Sequence, residues 1–106
     1  MCMNILYLPI ESKWLNMIQA NVKKEDYRRI TPYWYKRLEN RHYDVVCFIL
    51  NYKWKFYYEC KGIERKEGNV EWGAPPFCTV YAIKVGKDLG TDYKVPNPQL
   101  SLELDS

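Results

Sequence analysis

Residues Asn21 to Leu38 read NVKKEDYRRITPYWYKRL, and the architecture of the chain turns on how this stretch divides. Its first part, Lys23 to Arg29, has no apolar face for a core helix. It does alternate, with Lys23, Glu25 and Tyr27 on one side and Lys24, Asp26 and Arg28 on the other. The pattern predicts a strand that is polar on both faces, either an exposed edge protected by its charge or the wall of a polar cleft. The second part opens on Thr31-Pro32, a capping residue followed by the proline that suits a first helical position. A short helix is expected there, with Trp34, Tyr35 and Leu38 available for burial.

Toward the N-terminus, Met3 to Leu8 (MNILYL) is a short apolar run closed by Pro9 and predicts the first strand. Between the two, Glu11 to Ala20 (ESKWLNMIQA) places Trp14, Leu15, Met17 and Ile18 at helical spacing. Glu11 or Ser12 is expected to satisfy the first amides of this amphipathic helix, and Asn21 to end it in the left-handed conformation.

Toward the C-terminus, Tyr43 to Leu50 (YDVVCFIL) is the clearest buried strand. Trp54 to Ile63 (WKFYYECKGI) is expected to pair with it through a turn near Asn51-Lys53. Residues 64–76, ERKEGNVEWGAPP, carry charge, glycine and proline and read as a loop or broken strand. Phe77 to Val85 (FCTVYAIKV) supplies the last strand, and the composition turns polar after Gly86. The order β-α-β-α-β-β-β predicts an α+β fold, a small mainly antiparallel β-barrel with two flanking helices over residues 3–89. Residues 90–106 are expected to form a polar tail, extended or disordered, in which Leu100, Leu102 and Leu104 alternate as an edge strand for this domain or for a protein partner would.

With 106 residues, 47% of them hydrophobic, the chain supports one compact domain. The net charge of +3 is mild, but its placement is not even. Between Lys23 and Arg41, seven basic residues stand against three acids. The four cysteines, Cys2, Cys47, Cys60 and Cys78, include no C-x-x-C pair and read as free thiols in a reducing cytoplasm. No run approaches the ~18 apolar residues of a membrane helix, so a cytoplasmic protein without membrane contact is expected.

A single histidine, His42, and three serines outside any G-x-S-x-G context argue against histidine-based hydrolysis. With no P-loop, no G-x-G-x-x-G and no H-E-x-x-H, neither a cofactor nor a metal is expected. What remains is lysine, arginine and carboxylate chemistry. Lys23 and Glu25 on one strand face form a candidate polar pair, with Asp26 beside them, and a lysine in a partly dry cleft can shed its proton to act as base or nucleophile. Arg28 and Arg29 can fork onto phosphate, while Tyr27, Trp34 and Tyr35 offer stacking faces. Trp72, ahead of Gly73-Ala74-Pro75, can cap a pocket. These residues favour binding of RNA or a modified nucleotide in a basic, aromatic-lined cleft; an enzyme using Lys23 and a carboxylate is the alternative, and a scaffold that docks a host protein a third.

The series ILYLPIESKW, MIQANVKKEDYRRI, YECKGI, EWGAP and VYAIKVG resembles small phage and bacterial proteins of the ASCH (activating signal cointegrator homology) family, over residues 3–89. The resemblance implies a PUA-like β-barrel with a cleft used for RNA or modified nucleosides. One branch looks like amidohydrolases of acetylated cytidine that use a lysine, a threonine three residues later and a glutamate; ribonucleases are also among the relatives. Lys23 matches the lysine, but Asp26 stands at the threonine position, and both Glu67 and Glu71 are in range of the glutamate.

Overall fold

A computed structural model describes residues 4–91. Along the chain it contains β1 (Ile5–Ile10), α1 (Ser12–Gln19), β2 (Glu25–Arg29), α2 (Pro32–Leu38), β3 (Val45–Leu50), β4 (Trp54–Glu67), a single 3-10 turn (Val70–Trp72) and β5 (Thr79–Gly90). The fold is α+β, as expected. Met3 at the start of the first expected strand, and the Leu100-Leu102-Leu104 tail, lie outside the described residues.

All five strands join one sheet in the order β1-β3-β4-β5-β2. β1 runs parallel to β3, with α1, β2 and α2 intervening in the chain, and the remaining pairs are antiparallel. The expected barrel is therefore corrected in two respects: the sheet is mixed, and it curls into a half-barrel without closing. The curl has a local cause. The β4–β5 ladder shifts register three times between Tyr57 and Gly62, and Gly62 sits at φ +141°, which a side chain resists. Each shift bends the strand and adds twist.

β1 and β2 are the two free edges, and they are bridged by a side chain: Arg28 Nη2 on β2 donates to the Pro9 carbonyl on β1 at 2.7 Å. Pro9, which has no amide to give a ladder, stands on an edge strand, where proline is tolerated.

Two apolar clusters cover the two faces of the sheet. The larger joins Leu6, Leu8, Val46, Phe48, Tyr58, Tyr81 and Ile83 of the strands to Leu15 and Ile18 of α1 and Leu38 of α2. On the opposite face Val45, Cys47 and Tyr57 pack with Ile5, Tyr7, Ile49 and Leu89. Because β3 contributes to both, its run reads as continuous hydrophobicity and not as alternation. Val80 to Ile83 on β5 are likewise four consecutive buried residues where sequence alternation pointed to two distinct faces.

The helix signals behave as physical chemistry predicts, with one exception. Thr31 Oγ1 accepts from the Trp34 amide at 3.2 Å with Pro32 as the first helical residue, so α2 starts where expected. Asn21 ends the α1 turn at φ +63°. Glu11 occupies the N-cap of α1 but makes no side-chain capping bond. The β3–β4 turn is tight, with Asn51 and Tyr52 both at positive φ and the Lys53 amide bonded to the Leu50 carbonyl at 3.1 Å. That is the hairpin geometry favoured by right-handed strand twist.

The largest correction concerns residues 64–76. Glu64 to Glu67 is not loop: β4 runs on to Glu67, paired with β5 across Glu64–Ala82, Arg65–Tyr81, Lys66–Val80 and Glu67–Thr79. Its partner β3 pairs with β4 only as far as Glu59, so this end of β4 lies in the sheet with one side unpaired, where charges stay solvated. β5 also differs from expectation. It begins at Thr79, leaving Phe77 97% exposed at φ +54°, and it extends to Gly90.

Among the described residues, Cys47, Cys60 and Cys78 are free thiols, and only Cys47 is fully buried. No helix there is long and apolar enough to cross a membrane. No group of three or more His, Cys, Asp or Glu is placed to hold a metal ion among them.

Candidate functional site

The site begins with the turn that follows α1. The Lys23 amide bonds back to the Met17 carbonyl at 3.0 Å, and the side chain enters the protein, where Lys23 is only 3% exposed. Its ammonium lies 4.8 Å from the centre of the Tyr27 ring and 5.4 Å from that of Trp14, and it donates to the Trp72 carbonyl at 2.5 Å. Rings supply an electrostatic surface for a cation, but two rings and one carbonyl replace less than water provides. Burial therefore pushes the Lys23 pKa down to about 8; Asp26 and Glu25 pull the other way, and Arg28 adds to the depression.

β2 carries the next groups, held at the sheet edge by its ladder to β5. Asp26, 5% exposed, is paired through Oδ2 to Arg28 Nε at 2.8 Å. The Arg28 guanidinium lies 5.1 Å from the centre of the Trp34 ring and reaches Pro9 as described. Glu25 sits otherwise: it accepts from the Tyr27 hydroxyl at 2.8 Å and from Lys66 Nζ at 2.9 Å. Burial alone would raise the Glu25 pKa, yet the bonds from Lys66 and Tyr27 hold it below the ordinary value. Burial pushes the Tyr27 hydroxyl up to about 12, so it serves as a neutral donor, and its oxygen in turn accepts from the Asn69 amide at 3.0 Å.

Two clefts open around these residues, with Tyr27 common to both. The larger, about 1100 Å³, is lined by five lysines, Lys24, Lys61, Lys66, Lys84 and Lys87, against three glutamates, Glu25, Glu59 and Glu67, with Tyr27 and Trp72 as its aromatic wall. Lys66 and Lys84 are paired to Glu25 and Glu64, whereas Lys24, Lys61 and Lys87 form no salt bridge among the described residues. The smaller cleft, about 660 Å³, lies at the seam between β1 and β2; Glu11, Asp26, Arg28 and Asn51 are its polar lining, with Trp14, Tyr27, Tyr52, Ile10 and Ile49 among its rings and apolar sides. Lys23 lines neither.

Of the residues singled out in the sequence, Glu25, Tyr27 and Trp72 meet at the larger cleft and Asp26, Tyr27 and Arg28 at the smaller, while Lys23 is buried against Tyr27 and Trp72 between them. The expected Lys23–Glu25 pair is replaced by Lys23–Trp72 and Glu25–Lys66. Arg29 is exposed and lies away from both clefts, beside Gly73-Ala74-Pro75. Trp34 braces Arg28 and packs against the core, edge-on to Tyr33, and Tyr35 is 52% exposed on α2. His42 is a surface side chain 3.3 Å from Asp44.

Sequence reading missed Trp14 and the lysines of β4 and β5. Trp14 was hidden because it continues the apolar stripe of α1. Lys66 sits in the segment read as a loop or broken strand, and Lys61 and Lys84 reach the cleft only through the register that sets Gly62 opposite Lys84. Comparison with protein-family models, with curated proteins and with solved structures finds no match.

Proposed function

We propose that the protein binds single-stranded RNA or a nucleotide in the larger cleft, with phosphate held by the lysine rim and a base against Tyr27 or Trp72. The observation that carries this reading is the gathering of five lysines from three separate segments around one aromatic-walled cleft in a chain of only +3 net charge. Phosphate contacts of this kind supply affinity without sequence choice, and stacking on an aromatic face adds roughly 1–3 kcal/mol per base. The resemblance of the Lys23–Arg28 stretch to the ASCH family supports the same class of ligand.

Fluorescence titration with a short single-stranded RNA tests it. Binding at low salt should weaken steeply as salt rises, and Lys61→Glu with Lys87→Glu should lower affinity about tenfold or more. No binding at low salt overturns the proposal.

An amidohydrolase or ribonuclease built on Lys23 is the second reading, and the observation in its favour is an ammonium buried between the Trp14 and Tyr27 rings, where desolvation lowers its pKa. Turnover of acetylated cytidine or RNA that disappears in Lys23→Ala supports it. Wild-type turnover at background ends it.

A further inference from the structure

Phe77 stands where neither backbone preference nor burial accounts for it. Pro76 and Phe77 form the turn that leads into β5, and Phe77 has φ +54°. In a proline-led turn the positive-φ position ordinarily goes to glycine or asparagine, and a bulky side chain there is an outlier. The ring gains nothing from the fold in return, because it is almost wholly exposed. Tyr52, the other aromatic residue at positive φ among the described residues, differs: it sits in the tight β3–β4 turn, where strand twist favours that conformation.

A recess lies beside the protruding ring. It measures about 250 Å³, opens between Gly73-Ala74-Pro75 and the pair Arg29 and Val80, and is not lined by Phe77 itself. One short segment therefore carries both an aromatic knob and a socket with room for one aromatic side chain.

The charges at this end of the sheet have a matching symmetry. β5 begins between β4 and β2, with Glu67 opposite Thr79 on one side and Arg29 opposite Val80 on the other. Nearby Asp26, Arg28, Glu25, Lys66, Glu64 and Lys84 are all in ion pairs. Arg29 and Glu67 form neither a salt bridge nor a side-chain hydrogen bond among the described residues. A two-fold axis through the start of β5 exchanges the β4 side for the β2 side. It would set the unpaired cation of each copy against the unpaired anion of the other.

We propose that the strand end around Phe77 is an interface with a second copy of this chain. Each Phe77 ring enters the other copy's recess beside Arg29, and each Arg29 pairs with Glu67 across the axis. An unrelated partner would need only the knob, whereas the adjacent socket and the opposed free charges are what a copy of the same surface supplies. Two-fold association requires such a self-complementary patch. A buried aromatic anchor concentrates binding energy, and a guanidinium over its face adds to it. The contact forms at strand ends and adds no strand to either free edge of the sheet. It does not rest on RNA binding in the lysine cleft.

Sedimentation equilibrium of the full chain is the test. The mean mass should rise from one chain toward two between about 1 μM and 1 mM, the range of a small non-obligate interface. Phe77→Ser should weaken association about tenfold or more without lowering the melting temperature, since the exposed ring has no packing to lose. Arg29→Glu and Glu67→Arg should each weaken it about tenfold, and the double variant should return to within about twofold of wild type. A general effect of charge or of misfolding gives no such recovery. A monomer at about 1 mM, undiminished association in Phe77→Ser, or a double reversal no better than the single variants would each overturn the inference.

Discussion

β3 and β2 belong to one sheet and are six and five residues long, yet they share almost nothing in composition. β3, VVCFIL, has neighbours on both sides and places its first four residues out of contact with water. β2, EDYRR, has a partner only in β5 and buries one carboxylate. The contrast shows that a strand need not supply its own hydrophobicity when its neighbour is as apolar as Val80 to Ile83 of β5. Stability and chemistry are thereby kept on different strands.

The sharpest way to break that division is at Phe48, which is fully buried and stacks edge-on to Tyr58 with ring centres 5.8 Å apart. Phe48→Ala should cost about 3–5 kcal/mol, measured by urea denaturation. Molecules that remain folded should still bind RNA, because Phe48 itself lines neither cleft.

Lys23 tests the opposite prediction, that the chemical side costs stability. Its ammonium is charged in both folded and unfolded chains below about pH 8, so the burial penalty is fully present there. As pH rises from about 8 to 10.5 the folded state releases its proton first, and the penalty fades. Lys23→Met should therefore be more stable than wild type by about 1–2 kcal/mol at pH 7, after loss of the bond to the Trp72 carbonyl is counted. The difference between the two proteins should shrink toward zero or change sign near pH 10.5. A variant less stable than wild type at pH 7 would place Lys23 on the stabilising side.

The smallest effect belongs to the junction between the two regions. Thr31→Ala removes the cap of α2, the helix that connects β2 to β3, and should cost about 1 kcal/mol by thermal denaturation.

How far these features could be read from sequence follows the same contrast. α1, α2 and β3 were legible because periodicity and capping residues act locally: Thr31-Pro32 opens a helix whatever lies beyond it. β2 was legible as a strand from strict alternation alone. Glu64 to Glu67 was not, because charge was taken as a loop signal, and only the early end of β3 pairing explains why four charged or solvated residues stay in the ladder. The lysine cleft was hidden for a related reason. Lys24, Lys61 and Lys87 are scattered through the chain and meet through the β4 register shifts, which no local pattern encodes. Asp26 and Arg28 could be named in advance because two residues apart on a strand means one face.

The bond from Arg28 to the Pro9 carbonyl also bears on how copies of the protein behave toward each other. A half-barrel exposes two strand edges, and such edges invite a strand from another molecule. Here one edge lacks an amide at Pro9, the other is lined with charge, and a guanidinium ties them together at 2.7 Å. Arg28 is thus a guard against self-association, and its loss would free both edges of the half-barrel at once.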